Sequence, residues 1–285
     1  MKLKKLIKMK KYSKVKNFIN KFNLKSFNSA SKVLKYSNFF NLDLLIKKIP
    51  EDKKNDKSSK HLINVIKDYK KPHVYEMDDL CRLHWLVLKK KALNILEFGS
   101  GFSTLFIADA CKILSTNFKS IKNIRVEKKF HIYSLEENKS FLNITKKRIP
   151  SHLKKYVSLK ISNNKLIDYK GKYATICTNI PNISPDLIYL DGPSQYATKN
   201  NLNGFNLNNI SRFPMSADIL YIEYFLEPGT FIIVDGRTAN ARFLKDHLKR
   251  KWSYYHDEKG DCHYFELKER PLGLYNKYKL NFKNK

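Results

Sequence analysis

The chain has 285 residues, of which 42% are hydrophobic and 13% aromatic, so it can bury a sizeable core and is not disordered as a whole. No stretch approaches the roughly 18 uncharged apolar residues of a membrane-spanning helix, and the N-terminus lacks the apolar core of a signal peptide. The four cysteines form no C-x-x-C pair, which argues against a disulfide framework or a zinc site and favours the reducing cytoplasm.

The formal net charge is +30, from 56 basic and 26 acidic residues. Such a charge favours anionic partners such as nucleic acid, acidic lipid or phosphorylated sugar. Only eight of the basic residues are arginine, the side chain that makes the commonest specific contact to base edges. The composition therefore disfavours nucleic acid as the partner without excluding it.

Residues 1–60 are predicted to be a basic N-terminal helical extension and linker. They contain 18 lysines and four acidic residues, and the apolar residues among the first 22 fall roughly on one helical face. Two interpretations are open: a frayed basic helix outside the catalytic fold, or a helix that contacts an anionic membrane through residues 1–22. The polar run 51–60 is typical of a linker, so residues 61–285 are expected to form the main domain.

Strands and helices alternate from about residue 73. Apolar residues at helical spacing predict a helix over 77–88, and apolar strands are predicted at 94–98, 131–136, 157–162, 185–191 and 230–236. Helices are predicted between these strands. One begins near residue 102, one ends near residue 147, and two more are predicted over 215–226 and 241–248. Residues 163–184 are expected to form a hairpin or loop insertion, and 194–214 a long loop that covers a site. A terminal hairpin is predicted from 252–256 and 262–267.

This alternation predicts an α/β fold, a doubly wound, mostly parallel sheet with an antiparallel pair at its end. In such sheets ligands bind outside the carboxyl ends of the strands. The residues to consider therefore directly follow each apolar strand: 97–104, Glu136, Asp191 and Asp235.

The segment ILEFGSGFST (95–104) begins as a strand and ends in a helix. Gly99 and Gly101 permit a tight turn, and the helix N-terminus offers free N–H groups. Thr104 stands where a dinucleotide fingerprint needs a third glycine, and Glu97 would repel a pyrophosphate. A carboxylate here suits a cationic ligand that bears an ammonium and a sulfonium group. The alternative is a structural turn with a half-buried Glu97.

An acidic residue, Glu136, ends the second predicted strand. In nucleoside-binding α/β folds an acid at this place accepts hydrogen bonds from both ribose hydroxyls. Glu137 is the neighbour that could hold this role instead. A glycine turn followed by a second-strand acid is more specific than either feature alone.

Four motifs, EFGSGFST, SLEEN, DLIYLDGP and EPGTFIIVDG, occur in this order on the expected elements. In this the chain resembles, over about residues 74–267, the class I (Rossmann-like) S-adenosylmethionine-dependent methyltransferases. The resemblance implies a seven-stranded sheet whose last strand is antiparallel. It also implies that Glu136 contacts the ribose of the cofactor. For the methionine end of the cofactor, it implies contacts from Glu97, Gly99, Ser100, Gly101 and Ser103.

The ExGSGxST turn and the LDGP and VDG strand ends look like those of the catechol-type and macrocin-type O-methyltransferases. Those enzymes hold a divalent metal with acids after the fourth and fifth strands, where this chain has Asp191 and Asp235. The resemblance thus implies catalytic roles for both residues, with Mg²⁺ as the candidate ion. Gly236 and Ser194 stand where catechol-type enzymes have Asn and Lys. Metal-free chemistry, with Asp191 as general base oriented by Asp235, therefore stays open.

The expected function is transfer of a methyl group from S-adenosylmethionine to an oxygen of a small-molecule or sugar-like acceptor. Two alternatives stay open. The net charge suggests an RNA methyltransferase, and the fold is compatible with a non-catalytic cofactor-binding or membrane-associated protein. Acceptor specificity is expected to lie in 163–184, in 194–214 and near 74–88, none of which carries a readable code.

Overall fold

The computed structural model describes residues 12–46, 75–119, 121–194, 196–209 and 212–284. The helices are α1 (Tyr12–Ile19), α2 (Ala30–Phe40), α3 (Asp43–Ile46), α4 (Met77–Lys90), α5 (Phe102–Asn117), α6 (Lys139–Arg148), α7 (Asp218–Ile222), α8 (Thr238–His247) and α9 (Leu274–Asn284). The strands are β1 (Asn94–Phe98), β2 (His131–Glu136), β3 (Val157–Ile161), β4 (Asn164–Tyr169), β5 (Lys172–Cys177), β6 (Leu187–Leu190), β7 (Phe231–Asp235), β8 (Trp252–Asp257) and β9 (Cys262–Leu267). None of the described helices is both long and apolar enough to span a membrane.

Seven strands form one sheet in the order β3-β2-β1-β6-β7-β9-β8. Strands β3, β2, β1, β6 and β7 pair in parallel, whereas β9 runs antiparallel to both of its neighbours. The strand order reverses between β1 and β6, which is the place where ligands bind in open α/β sheets. The predicted α/β, Rossmann-like doubly wound sheet with an antiparallel last strand is confirmed.

Both faces of the sheet are covered, which explains why its central strands are almost continuously apolar. All five residues of β1 and all four of β6 are buried. One core lies between the sheet and α1–α5, and the other between the sheet, α7, α8 and the hairpin β4–β5. That hairpin occupies the segment in which the sequence predicted a hairpin or insertion.

The N-terminal residues 12–46 are helical, but they pack into the first core instead of lying outside the fold. Phe27 and Tyr36 are fully buried, with ring centroids 5.4 Å apart. The Tyr36 hydroxyl lies 2.9 Å from Nδ1 of His84 on α4, and Trp85 of α4 donates a 2.9 Å hydrogen bond to the Ile19 carbonyl. The interpretation of residues 12–46 as a frayed tail therefore does not hold, because these helices cover an apolar face of α4.

The membrane interpretation changes for the same reason. Within residues 12–22, the apolar side chains of Val15, Ile19 and Phe22 are buried in the protein core. They are therefore not available as a membrane-facing surface in this conformation. Residues 1–11, the linker 51–60 and the boundaries at 60 and 74 lie outside the described residues.

Two further elements differ from expectation. The helix predicted over 215–226 is only the short α7 followed by a 3-10 turn at Glu223–Phe225. The helix α9 was not predicted. Two ion pairs hold α9 against the fold. Lys283 Nζ lies 2.9 Å from the buried carboxylate of Asp186, and Lys279 Nζ lies 2.9 Å from the partly exposed carboxylate of Glu227.

Candidate active site

Carboxylates collect at one edge of the sheet. The ends of β1, β2, β6 and β7 are in register there, since Phe98 pairs with Leu135 and Leu190, and Leu190 pairs with Val234. The strand ends therefore bring the predicted acids to this edge: Glu97, Glu136, Asp191 and Asp235. A concentration of negative charge in a chain of net charge +30 suits a cationic ligand or a metal ion.

The turn after β1 touches the loop after β6. Gly99 has φ +92°, a conformation that L side chains rarely adopt. A Cβ added to Gly192 would lie only 2.8 Å from the Gly99 backbone nitrogen. The LDGP motif therefore needs glycine at 192, because the two loops pack backbone against backbone.

Glu97 is fully buried and braces the glycine turn. Its Oε2 accepts a 2.6 Å hydrogen bond from the Thr104 hydroxyl, which in turn accepts one from the Gly101 N–H. Its other oxygen, Oε1, has no hydrogen-bond partner. Burial raises the pKa of Glu97 to about 7, opposed in part by the hydroxyls of Ser103, Ser134 and Thr104. Glu97 thus carries one structural bond and one buried oxygen that is free to accept.

We expect Glu97→Gln to stabilise the protein at alkaline pH. The folded-state pKa lies above the usual 4.5, so the folded state binds this proton more tightly, and stability is lost as pH rises from about 5 through 7. Removing the ionisation should raise the free energy of unfolding by about 2–3 kcal/mol at pH 8 and by less than about 1 kcal/mol at pH 5. Urea unfolding at both pH values measures this, and an equal effect at both would contradict it.

Glu136 at the end of β2 holds the glycine turn from the other side. Its Oε2 accepts hydrogen bonds from the backbone N–H and the hydroxyl of Ser100, at 2.8 and 3.0 Å. Its Oε1 accepts one from the Asn138 N–H at 2.9 Å. Burial and the neighbouring charge of Glu137 raise the pKa of Glu136 to about 7. Glu137 instead accepts from the Ser194 N–H at 2.9 Å, which ties β2 to the loop after β6.

The space beside Glu136 is nearly closed. The cavity there has a volume of about 10 Å³, room for about one water molecule. Its lining includes Ser162, Asn164 and Cys177, contributed by the end of β3 and the hairpin β4–β5. The carboxylates of Glu97 and Glu136 and the N–H groups of the glycine turn fit a nucleoside that carries a cationic methionine end. Open space lies above Gly101, where an added Cβ would meet nothing within 4 Å. To admit a nucleoside, Ser100 has to leave Glu136 and the hairpin has to withdraw.

Asp191 lies in the loop after β6 with its side chain 52% exposed. Desolvation and repulsion by Asp235 raise its pKa to about 7, and Arg237 opposes this. The guanidinium of Arg237 donates to the carbonyls of Asp191 and Pro193 at 2.6 and 2.8 Å. Arg237 therefore braces this loop.

Asp235, at the end of β7, has both oxygens occupied. The Tyr189 hydroxyl donates to Oδ2, and the Cys262 thiol donates to Oδ1 at 3.1 Å. Asp79 of α4 lies beside them, with donor atoms of Asp79, Asp235 and Cys262 all within 4.8 Å of one another. Burial and the charge of Asp235 raise the pKa of Asp79 to about 9. Buried Arg82 pairs with Asp79 at 2.8 Å.

The fit of a hard divalent cation to this edge is partial. Asp191 offers an accessible carboxylate, and carboxylate oxygens are the ligands that Mg²⁺ prefers. Asp235, however, is engaged by Tyr189 and Cys262, and the cation nearest Asp79 is the guanidinium of Arg82. The shared metal site of Asp191 and Asp235 stays a prediction, in which an ion would share the oxygens of Asp235 with Tyr189 and Cys262.

The long loop after β6 carries a polar cavity of about 440 Å³. A hydroxyl, a phenol, a lysine and three amides line it, from Tyr196, Thr198, Lys199, Asn201, Asn206 and Asn208. These groups donate and accept hydrogen bonds but bring no carboxylate. The cavity lies in the segment where acceptor specificity was predicted.

No family model matches this sequence, and no curated protein matches it either. Among solved structures, the O-methyltransferase from Bacillus cereus in complex with SAH is 16% identical, with a TM-score of 0.39 and 74% of this chain and 90% of that chain covered. TomG, an O-methyltransferase from Streptomyces achromogenes in complex with SAM, is 14% identical, with a TM-score of 0.38 and coverage of 75% and 92%. SAH-bound PaMTH1 from Podospora anserina is 13% identical, with a TM-score of 0.40 and coverage of 77% and 93%.

Each of these three proteins is less than 25% identical to this chain and has a TM-score below 0.5. The fold itself is established by strand order and register.

Several residues of this edge were missed by sequence reasoning. Tyr189 and Cys262 are apolar-type residues within strands, and their contacts to Asp235 depend on strand order. Asp79 lies in the first turn of α4, where an acidic residue is common and does not by itself indicate a site, and Arg82 was not singled out. The one available signal was the position of Arg82 on the otherwise apolar face of α4, where a buried arginine needs a carboxylate partner.

Proposed function

We propose that this chain is an S-adenosylmethionine-dependent methyltransferase that methylates an oxygen of a small-molecule or sugar-like acceptor. The observation that carries the proposal is the buried carboxylate of Glu136 bound to the glycine turn at Ser100, at the point where the strand order reverses. A turn, an adjacent acid and a second buried acid at Glu97 form a site for a nucleoside with a cationic end.

The cofactor supplies a methyl group on a positively charged sulfur. Glu136 would accept hydrogen bonds from the ribose hydroxyls in place of those from Ser100. The unpartnered Oε1 of Glu97 and the turn at Gly99, Ser100, Gly101 and Ser103 would hold the methionine end. Binding would then exchange hydrogen bonds within the site for hydrogen bonds to ligand, so that little is left unsatisfied.

Asp191 is the residue that we assign to the acceptor. Its accessible carboxylate and raised pKa suit a group that takes a proton near neutral pH. Asp235 would orient the site through Tyr189, or join Asp191 as a ligand of Mg²⁺ that polarises the acceptor hydroxyl. Sensitivity of the activity to EDTA separates these two versions.

The acceptor class is inferred from the polar cavity in the loop after β6. The side chains that line it are amides, hydroxyls, a phenol and a lysine, which can hydrogen-bond with a polyhydroxylated acceptor. We also place the protein in the cytoplasm, which is supported by four cysteines that are free and buried.

Asp191→Asn is expected to lower turnover by at least about 100-fold, because it removes the group that receives the acceptor proton. Affinity for S-adenosylhomocysteine should stay within about threefold, since Asp191 does not touch the glycine turn through its carboxylate. The assay follows transfer of a labelled methyl group to a panel of sugar-like and phenolic hydroxyl compounds. Exposed Asp246→Asn is the matched control.

Turnover by Asp191→Asn at the wild-type rate would contradict the assignment of Asp191. Transfer of the label to RNA, with RNA binding that weakens steeply as salt is raised, would contradict a small-molecule acceptor. It would favour the RNA methyltransferase that the net charge suggests.

A further inference from the structure

The terminal hairpin carries a cluster of metal-ligating side chains that the proposed reaction does not use. His256 of β8 and His263 of β9 are directly paired across the antiparallel strands. Asp261 lies in the turn immediately before β9, with φ +40°. One donor atom from each of the three residues lies within 4.8 Å of the other two.

We propose that His256, Asp261 and His263 form a binding site for a divalent transition-metal ion of the Zn²⁺ or Co²⁺ type. Two imidazoles and one carboxylate are ligands that such ions favour, whereas Mg²⁺ favours an all-oxygen set. Three protein ligands leave the fourth tetrahedral position to a water molecule.

Only small movements are needed to close the site. Ligand atoms of a tetrahedral zinc ion lie about 3.3 Å apart, so donor atoms within 4.8 Å of one another have to approach by at most about 1.5 Å. The two imidazole rings are stacked with centroids 3.9 Å apart and planes inclined by 12°. His256 is only half-buried, so its ring can turn to direct a nitrogen toward the same point as His263.

Both ring nitrogens of His263 have hydroxyl partners. Its Nε2 lies 2.9 Å from the Thr238 hydroxyl, and its Nδ1 lies 2.9 Å from the Tyr254 hydroxyl. When one ring nitrogen binds a metal, the other donates to an oxygen that fixes the tautomer and the ring orientation. Either hydroxyl can therefore serve as that outer partner, while the other gives way to the ion.

This site is distinct from the candidate active site. Asp235 pairs with Cys262, whereas His263 is the next residue along β9 and points to the opposite face of the sheet, toward Thr238 at the start of α8. The two regions are nevertheless joined, because the Gly236 N–H donates to the Asp261 carbonyl at 2.8 Å. A metal held here would fix the hairpin against the loop that follows Asp235.

One neighbouring charge opposes a cation at this place. Arg242 lies on α8 one turn after Thr238, whose hydroxyl contacts His263. Its replacement by glutamine should therefore tighten metal binding, a result that a purely structural histidine pair does not predict.

The test is calorimetric titration of the full chain, without an affinity tag, with Zn²⁺, together with the visible absorption of bound Co²⁺. We expect one ion per chain, at least about tenfold weaker binding in His256→Gln and Asp261→Asn, and tighter binding in Arg242→Gln. Saturating Zn²⁺ should raise the Tm by about 5 °C, and His256→Gln should lose this shift.

His247→Gln, on the same helix as Arg242 but outside the cluster, is the control and should bind as wild type does. Asp235→Asn should also leave Zn²⁺ binding unchanged, which separates this site from a metal at the candidate active site. Absence of stoichiometric binding, or binding that is equal in wild type, His256→Gln and Asp261→Asn, would overturn the proposal.

Discussion

Replacing Glu136 with alanine is expected to weaken the binding of S-adenosylhomocysteine by about 100-fold. Two hydrogen bonds from ribose hydroxyls to a charged carboxylate contribute about 1.5 kcal/mol each, and every 1.4 kcal/mol is a factor of ten in affinity. Glu136 is buried, so water does not easily replace the lost acceptor and the loss of affinity should not be smaller than this. Isothermal titration calorimetry of the variant and the wild-type protein measures the difference.

Glu137→Ala is the matched control, since Glu137 contacts the loop after β6 at Ser194 instead of the glycine turn. Its affinity should stay within about threefold of wild type. A loss of affinity in Glu137→Ala with none in Glu136→Ala would move the ribose role to Glu137. Because Glu136 also holds Ser100 and Asn138, thermal unfolding of each variant checks that a weakened ligand affinity is not a consequence of unfolding.

Phe27→Ala is expected to lower the free energy of unfolding of the whole domain by about 3–5 kcal/mol, the usual cost of removing a buried aromatic ring. Phe27 is 1% exposed and its ring lies 5.7 Å from that of Trp85 on α4. Urea unfolding followed by far-ultraviolet circular dichroism should show one cooperative transition at a lower midpoint, because α1–α3 share a core with the sheet.

Leu34→Ala is the control from the same segment, since Leu34 is 62% exposed, and it should change stability by less than about 0.5 kcal/mol. A Phe27→Ala protein as stable as wild type would mean that residues 12–46 do not belong to the domain core. An unfolding curve with two separate transitions would mean the same.

The strands and the mostly parallel character of the sheet could be predicted because their signals are local. Five apolar runs, each ended by a turn or a polar residue, predict buried parallel strands. The glycine turn comes directly after the first of these runs, and Glu136 ends the second. The strand ends then place Glu97, Glu136, Asp191 and Asp235 on one edge without further information.

The burial of α9 and of residues 12–46, and the contact between Ser100 and Glu136, depend on tertiary contacts between segments that are distant in sequence. Lys279 and Lys283 look like a solvated helix face in sequence, and their burial becomes favourable only because Asp186 and Glu227 lie opposite. The aromatic residues of 12–46 are separated by lysines, so their common face is evident only once α4 supplies its partner. The closed state of the site likewise results from Ser100 occupying Glu136, an interaction across 36 residues that no local pattern encodes.

Calorimetric titration of the intact protein with S-adenosylhomocysteine tests the central claim most directly. We predict saturable binding of one molecule per chain, which Glu136→Ala weakens and which excess ATP does not displace. If S-adenosylhomocysteine binds no more tightly than adenosine, or gives no heat of binding at millimolar concentration, the assignment of this carboxylate-lined turn to a sulfonium nucleoside is contradicted.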